Sequence, residues 1–217
     1  MHEKFLALTP ALYEYVAAHS APPPGDVLHE LAAETAALGP VSVMQIAVEQ
    51  GAFLTLLARL MGARRAVEVG TFTGYSAICI ARGLAEGGGL LCCDVSEEWT
   101  AIARRYWLRA GLDDRIALRL GPAIDTLRAL PRAAEIDLAF VDADKTGYGD
   151  YYDELLPRLR PNGLIVFDNA LWGGAVVEAQ DRSAAALRAL ADRVYTDPRV
   201  DALMLAVADG LLLARKR

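Results

Sequence analysis

Short apolar stretches alternate with helical segments from about residue 66 onward, and this alternation restricts the possible folds more than any other feature. The apolar runs of strand length are Ala66–Val69, Leu90–Asp94, Ile116–Leu120, Ile136–Val141 and Leu164–Phe167. The segments with a helical pattern are Tyr75–Leu84, Glu97–Ala110, Ala123–Leu130, Tyr148–Leu159 and Ala184–Tyr195. Because neighbouring parallel strands need a crossover connection, repeated strand–helix units predict a doubly wound parallel sheet.

The two ends of the chain depart from this alternation. The first 62 residues are predicted to be helical, with a helix start at Thr9-Pro10 and helices at Asp26–Leu38 and Glu49–Met61. Near the other end, Asp209-Gly210 separates two apolar runs, which is typical of a β-hairpin. These runs are Ala202–Val207 and Leu211–Arg215. We therefore predict an α/β fold with a seven-stranded, mostly parallel sheet and a C-terminal antiparallel hairpin.

Length and composition indicate the general class of protein. A chain of 217 residues fits one domain, with a helical part at 1–62 and the doubly wound sheet at 63–217. No apolar run is expected to approach the roughly 18 residues that span a bilayer. The start, Met1–Lys4, lacks the features of a secretory signal, so we expect a cytoplasmic protein.

Charge and residue usage weigh against several kinds of site and partner. The net charge of −6 and the lack of basic runs weigh against nucleic-acid and anionic-membrane partners. Three cysteines without Cys-x-x-Cys spacing argue against a disulfide framework or a structural zinc site. All three histidines lie within the first thirty residues, far from the polar strand ends, so histidine-based catalysis is not expected.

The turn after the first predicted strand has the features of a ligand-binding turn. Gly70 and Gly74 allow the backbone to approach a ligand closely, and a helix N-terminus follows them. Their spacing matches neither the dinucleotide fingerprint nor a P-loop. Asp94, at the end of the next strand, can hold ribose hydroxyls of any adenosine ligand. Glu68 would repel a pyrophosphate but attract a cationic ligand, which favours S-adenosylmethionine over a dinucleotide.

Polar side chains also follow two later strands. Asp142, Asp144 and Lys145 come after one apolar run, and Asp168 and Asn169 come after the next. In open α/β sheets, ligands bind outside the carboxyl ends of the strands. Carboxylate and amide oxygens suit a hard cation such as Mg²⁺, and Lys145 would accept a proton or stabilise charge beside it. An ordinary role for these residues as turn formers and helix caps is the alternative.

Taken in order, these motifs resemble the cation-dependent O-methyltransferases, which include the catechol and caffeoyl-CoA O-methyltransferases. The resemblance begins near Met44 and extends to the C-terminus. The matching segments are Met44, Glu49–Gly51, Glu68–Ser76, Asp94, Gly121–Ala123, Val141–Lys145, Asp168–Trp172 and Asp209-Gly210. It implies the Rossmann-like S-adenosylmethionine-dependent methyltransferase fold and a homodimer. Gly173 stands where plant caffeoyl-CoA enzymes carry an Asn that contacts the substrate, so caffeoyl-CoA itself is not implied.

The resemblance also implies roles for individual residues. The S-adenosylmethionine site would include Glu68, Gly70, Thr71, Ser76, Asp94, Ala123 and Asp142. The metal ligands would be Asp142, Asp168 and Asn169, holding Mg²⁺ or another divalent cation such as Mn²⁺ or Ca²⁺. Lys145 would be the catalytic residue, and the substrate contacts would be Met44, Asp144, Lys145 and Trp172.

These expectations combine into a function with stated alternatives. We expect methyl transfer to one of two adjacent hydroxyls on a catechol-type small molecule, with Trp172 forming part of the aromatic acceptor site. One alternative within the same family is methylation of a hydroxylated uridine in tRNA. A nicotinamide-dependent oxidoreductase and a non-catalytic adenosine-binding module are alternatives of other classes.

Overall fold

The computed structural model describes residues 6–217. Eight α-helices occur in this range: α1 Pro10–Ala18, α2 Val27–Ala36, α3 Val48–Leu60, α4 Tyr75–Gly83, α5 Glu97–Arg109, α6 Ala123–Ala129, α7 Tyr148–Arg158 and α8 Arg182–Thr196. Several begin at the polar caps that the sequence provides. The Thr9 hydroxyl accepts a hydrogen bond from the Leu12 amide, and the Asp26 carboxylate accepts one from the Leu28 amide.

Seven strands form one sheet within the described part of the chain. They are β1 Arg65–Val69, β2 Gly89–Asp94, β3 Ile116–Leu120, β4 Ile136–Val141, β5 Leu159–Phe167, β6 Val200–Leu205 and β7 Leu211–Lys216. Their order is β3-β2-β1-β4-β5-β7-β6. Strand β7 runs antiparallel to both β5 and β6, whereas β1 to β5 pair in parallel. The predicted fold class, including the C-terminal antiparallel hairpin, is confirmed.

Alternation along the strands separates two apolar cores on opposite faces of the sheet. Leu138 and Phe140 of β4 belong to the core that packs against α2 to α5. Ala139 and Val141 belong to the core that packs against α6 to α8. Because successive side chains point to opposite faces, one strand serves both cores. The sheet edge at the carboxyl ends of β1, β2, β4 and β5 is therefore held from both sides.

The segment Gly39–Leu60 differs from the sequence expectation. It is 22 residues long and contains an 18-residue stretch with a mean hydropathy of 1.5, so it meets the length and composition criteria of a membrane span, although no such run was expected. In the structure it is divided into a 3₁₀ helix at Gly39–Met44 and helix α3, with Gln45 and Ala47 extended between them. The buried Gln50 side chain of α3 is hydrogen-bonded to Asp168. This segment therefore packs as two helices of the fold.

Two further expectations remain predictions. Residues Met1–Lys4, on which the cytoplasmic location partly depends, lie outside the described residues. The division into a helical part and a sheet within one domain is likewise a prediction, although Leu31 of α2 and Leu54 of α3 share a core with sheet residues.

Candidate active site

The turn between β1 and α4 is built around two glycines with positive φ. Gly70 has φ +89°, and a Cβ there would lie 2.0 Å from the carbonyl oxygen of Asp142. Gly74 has φ +87°, and a Cβ there would lie 2.7 Å from Ala103 and from Trp107 Nε1. Only glycine combines this backbone conformation with such close approach. The turn therefore lies directly against Asp142, the residue that follows β4.

Glu68 is a fully buried carboxylate at this turn. Its Oε2 accepts a hydrogen bond from Cys92 Sγ at 3.3 Å, whereas its Oε1 is buried with no hydrogen-bond partner among the described residues. Burial raises the pKa of Glu68 to about 7, against the effect of the neighbouring Ser76 and Cys92 side chains. A buried acceptor without a donor is costly, and a ligand that carries positive charge would satisfy it.

Asp94, at the end of β2, organises the same turn from the other side. Its Oδ2 accepts hydrogen bonds from the backbone amides of Thr71 at 2.8 Å and Phe72 at 2.9 Å. Its Oδ1 accepts one from the Ser96 amide at 2.8 Å. A carboxylate has about four acceptor positions, so Asp94 can still receive a hydroxyl donor.

The remaining residues expected at the cofactor also lie on this part of the sheet edge. Ser76 is buried in the first turn of α4, next to Glu68. Ala123 is the first residue of α6 and is also buried. The loop that leads to it is fixed to β2, because the Gly121 amide donates to the Asp94 carbonyl at 2.9 Å. The N-termini of two helices thus frame the site, and helix N-termini provide free N–H groups for a ligand.

Asp142, Asp168 and Asn169 follow the adjacent, parallel strands β4 and β5. Asp168 is buried, and both hydrogen bonds to its carboxylate fall on Oδ1, from the Asn169 amide at 2.6 Å and Gln50 Nε2 at 2.7 Å. Burial raises the pKa of Asp168 to about 7, and the charge of Asp142 adds to this effect. The Asn169 side-chain amide donates to Asp209 Oδ2 at 3.3 Å, which leaves its oxygen available as a ligand.

These donors fit a hard divalent cation. The two carboxylates lie close together, since the charge of Asp142 raises the pKa of Asp168. Together with one amide oxygen, they match the ligands that Mg²⁺ prefers. No group of three or more His, Cys, Asp or Glu side chains forms a metal cluster within residues 6–217. A cation here would therefore depend on Asn169 and on oxygens from outside the chain.

Lys145 is the positive charge at this edge. Its Nζ lies 2.8 Å from Asp142 Oδ1 and 2.9 Å from the Tyr148 hydroxyl. The Tyr148 hydroxyl in turn donates to the Asp168 carbonyl at 3.2 Å. Tyr148 is fully buried, and burial followed by the nearby Asp142 raises its pKa well above the usual value. Lys145 is thus held between a carboxylate and a neutral phenol, with 9% of its side chain exposed.

Of the expected substrate contacts, some lie near Lys145 and others do not. The Trp172 ring lies 5.8 Å from Lys145 Nζ, so the structure brings these two together. Asp144 is exposed, and its Oδ1 accepts a hydrogen bond from the Tyr151 hydroxyl at 2.6 Å. Met44 ends the 3₁₀ helix before α3 and is 42% exposed, and no described contact joins it to Lys145.

Three residues that contact the site had no role predicted from the sequence. Gln50 contacts Asp168, Tyr148 contacts Lys145, and Asp209 contacts Asn169 and also accepts a hydrogen bond from the Gly173 amide at 2.6 Å. Gln50 and Asp209 lay within matching segments, which was the only available signal. Their contacts span 118 and 40 residues, so no local pattern could reveal them.

Known structures define the class of protein. The O-methyltransferase from Bacillus cereus, solved in complex with S-adenosylhomocysteine, has 32% identity and a TM-score of 0.87 to this chain, covering 95% of this chain and 97% of that one. The chain is therefore an S-adenosylmethionine-binding methyltransferase.

Sequence relatives identify the family. The pattern of the O-methyltransferase family matches residues 17–217, so the chain belongs to that family. Caffeoyl-CoA O-methyltransferase 2 of Zea mays is 35% identical over 228 aligned positions, which cover 98% of this chain and 85% of the maize protein. Catechol O-methyltransferase domain-containing protein 1 of Mus musculus is 41% identical over 173 positions, covering 77% of this chain and 66% of the mouse protein.

Proposed function

We propose that this O-methyltransferase requires a divalent cation and methylates one hydroxyl of a vicinal dihydroxy aromatic small molecule. The observation that carries the proposal is that Asp142, Asp168 and Lys145 lie together at one sheet edge, beside the turn that follows Glu68 and Val69. The names of the maize and mouse relatives support an aromatic acceptor of this kind. Mg²⁺ is the expected cation, with Mn²⁺ or Ca²⁺ as substitutes.

The proposed division of labour assigns the two bound groups to adjacent parts of the edge. Glu68, Gly70, Thr71, Ser76, Asp94, Ala123 and Asp142 would hold S-adenosylmethionine, which supplies the methyl group. Asp142, Asp168 and Asn169 would hold the cation, which lowers the pKa of the acceptor hydroxyls. Holding both reactants on one rigid edge reduces the entropic cost of their meeting.

Lys145 is the proposed proton acceptor. Once Lys145 has lost its own proton, Nζ can still donate to Asp142 Oδ1 and to the Tyr148 hydroxyl and has one lone pair left for a third partner. That lone pair can take the proton that leaves the acceptor hydroxyl. Trp172, next to Lys145, would pack against the aromatic ring of the acceptor, with Met44 and Asp144 as further contacts.

Metal-dependent turnover tests this proposal. The protein is incubated with S-adenosylmethionine and a panel of catechols, with Mg²⁺ or with EDTA, and the formation of S-adenosylhomocysteine is followed. We expect turnover of at least one vicinal diol that EDTA abolishes and added Mg²⁺ restores. Turnover that is indifferent to EDTA, or no turnover on any vicinal diol, would contradict the proposal.

The same assay addresses the alternative acceptor within the family. Transfer RNA with a hydroxylated uridine replaces the catechol in a parallel reaction. The acidic net charge of −6 favours the small molecule, so we expect turnover only with the catechols. Product from the tRNA alone would assign the chain to RNA modification.

A further inference from the structure

Gln50 joins the N-terminal helices to the candidate cation site. Its side chain is 3% exposed, and its Nε2 donates to Asp168 Oδ1 at 2.7 Å across 118 residues of sequence. Asp168 is 2% exposed, so this hydrogen bond is shielded from water. A shielded hydrogen bond to a carboxylate orients it more strongly than a solvated one does.

The orientation of the Gln50 amide is itself fixed by helix α3. Its Oε1 accepts a hydrogen bond from the backbone amide of Ala47 at 2.8 Å, in the manner of a capping box. Because the oxygen is held by Ala47, the Nε2 group has to face Asp168. The cap of α3 therefore determines the direction of a hydrogen bond donated into the site.

The two donors on Asp168 leave its second oxygen for a ligand. Gln50 Nε2 and the Asn169 amide both donate to Oδ1, and no other described side-chain or backbone donor reaches this carboxylate. Oδ2 is the atom that remains for a cation. Groups that orient metal ligands in this way usually change metal affinity when they are removed.

We infer that Gln50 is a positioning residue for the cation: it sets the rotation of the Asp168 carboxylate and so makes metal affinity depend on the N-terminal helices. This inference rests on the proposed function, because it assumes that Asp168 binds a divalent cation. It assigns no contact between Gln50 and the substrate or the cofactor. Its expected effect is therefore on the affinity for metal and not on the affinity for S-adenosylhomocysteine.

Two variants test the inference by different routes. Gln50→Leu keeps a side chain of similar size and removes the donor. Ala47→Pro removes only the amide that holds Gln50 Oε1, and the φ of −67° at Ala47 already suits proline. Thr55→Val is the matched control: it removes a hydroxyl of α3 that lies within hydrogen-bonding distance of the Gly51 and Cys79 carbonyls, without touching Asp168.

The measurements are calorimetric titrations with Mn²⁺ and, separately, with S-adenosylhomocysteine. We expect the Mn²⁺ dissociation constant of Gln50→Leu to rise about 10- to 100-fold. Ala47→Pro should show a smaller rise. The S-adenosylhomocysteine dissociation constants should stay within about twofold of wild type. At saturating Mn²⁺ the kcat of both variants should recover, because only the occupancy of the site is affected.

The possible outcomes separate this inference from the proposed function. Unchanged Mn²⁺ affinity in Gln50→Leu, with wild type binding Mn²⁺, would overturn the inference alone. An equal loss in Thr55→Val would also overturn it, because α3 packing would then be the cause. If wild type binds no divalent cation, both the inference and the metal dependence of the proposed function are wrong. Should Gln50→Leu fail to fold, Ala47→Pro decides.

Discussion

Glu68 and Lys145 lie at the same sheet edge but differ in how well their polar atoms are hydrogen-bonded. Glu68 has no exposed surface, and its Oε1 has no hydrogen-bond partner among the described residues, so its carboxylate is stabilised by little besides the Ser76, Cys92 and Thr71 side chains. Lys145, in contrast, is held by hydrogen bonds to Asp142 and Tyr148. A cationic ligand should therefore affect Glu68 most, whereas the loss of Lys145 should affect the reaction most.

The protonation of Glu68 predicts how cofactor binding varies with pH. Burial raises its pKa from 4.5 to about 7, so the ionised form that attracts a cation accumulates as the pH rises through 7. The affinity for S-adenosylmethionine should increase between pH 6 and 8, and this increase should be smaller in Glu68→Gln. Calorimetry without metal at three pH values measures it. The same slope in both proteins would show that another group, such as Asp168, is responsible.

The same group has an opposite effect on the ligand-free protein. Because the folded-state pKa is raised, the contribution of Glu68 to stability is complete below pH 4.5 and is lost as the pH rises through 7. Glu68→Gln should therefore gain stability relative to wild type between pH 5 and 8, by about 3 kcal/mol at most. Urea unfolding at both pH values measures the difference. A constant difference between the two proteins would contradict the prediction.

Lys145→Ala should separate chemistry from binding. The substitution removes the proposed proton acceptor, so turnover should fall by about 10²- to 10⁴-fold. The S-adenosylhomocysteine affinity should stay close to that of wild type. Lys216→Ala is the control, because Lys216 Nζ donates to the Leu159 carbonyl at 2.7 Å, in another part of the molecule. A loss of cofactor affinity that matches the loss of turnover would make Lys145 a structural residue.

At the scale of elements, the site depends on how closely β1, the turn after it and β4 approach one another. The Asp142 amide donates to the Val69 carbonyl at 2.8 Å, and the Gly70 amide donates to the Cys93 carbonyl at 2.9 Å. These hydrogen bonds continue the strand pairing just beyond the ends of the strands, and they fix the turn between β1 and α4 relative to Asp142. Any side chain at Gly70 would push these elements apart.

Gly70→Ala should therefore lower the free energy of unfolding by more than its positive φ alone explains. Gly25 has a similar φ of +82° but nothing within 4 Å of its Cβ position, so Gly25→Ala measures the backbone cost alone, about 1–2 kcal/mol. Gly70→Ala adds a clash with the Asp142 carbonyl and should cost more, with weaker S-adenosylhomocysteine binding. Urea unfolding and calorimetry compare the two variants. Equal costs would mean that the turn can move away from β4.

Most elements could be predicted from the sequence because their signals are local. Strand β4 begins and ends at the predicted residues, and α4 and α5 end within one residue of prediction. Strand β5 begins earlier than predicted, at Leu159, although Pro161, Asn162 and Gly163 resemble a turn. Its pairing with Ile136 is non-local and contains a register shift, so only the assembled sheet shows it.

Site residues follow the same division. Glu68, Asp94, Asp142 and Asp168 could be proposed because each lies at or next to the end of a strand, and parallel topology brings strand ends together. Gln50 could not, because its role depends on where α3 packs, and helical periodicity does not contain that information. The 3₁₀ helix at Gly39–Met44 was also missed, since its glycine and proline are equally typical of a loop.

At the scale of the whole molecule, the N-terminal helices carry many of the exposed apolar side chains. The exposed fractions are 41% for Tyr13 of α1 and 85% for Val43 of the 3₁₀ helix. In α3 they are 55% for Leu56 and 77% for Leu60. Exposed apolar surface of this kind is often covered by a partner. It agrees with the homodimer that the resemblance implies, which stays a prediction.

The oligomeric state can be measured directly. Light scattering after size-exclusion chromatography should give twice the mass of one chain at micromolar concentrations. Leu60→Asp should shift the protein toward the single-chain mass if α3 lies in the interface, whereas Lys216→Ala should not. A single-chain mass for the wild-type protein at all concentrations would contradict the dimer.

The turn between β6 and β7 has a consequence for biosynthesis. Gly210 lies so close to Leu171 that a Cβ would approach it to 2.4 Å, and the Asp209 and Gly210 carbonyls accept hydrogen bonds from the Leu171 and Ala170 amides at 2.9 Å each. The loop carrying Asn169 is therefore completed only by residues about forty positions later. During translation, this hairpin must leave the ribosome before the loop can form these hydrogen bonds. A nascent chain stalled short of the hairpin would contain the turn between β1 and α4 but not the completed candidate cation site.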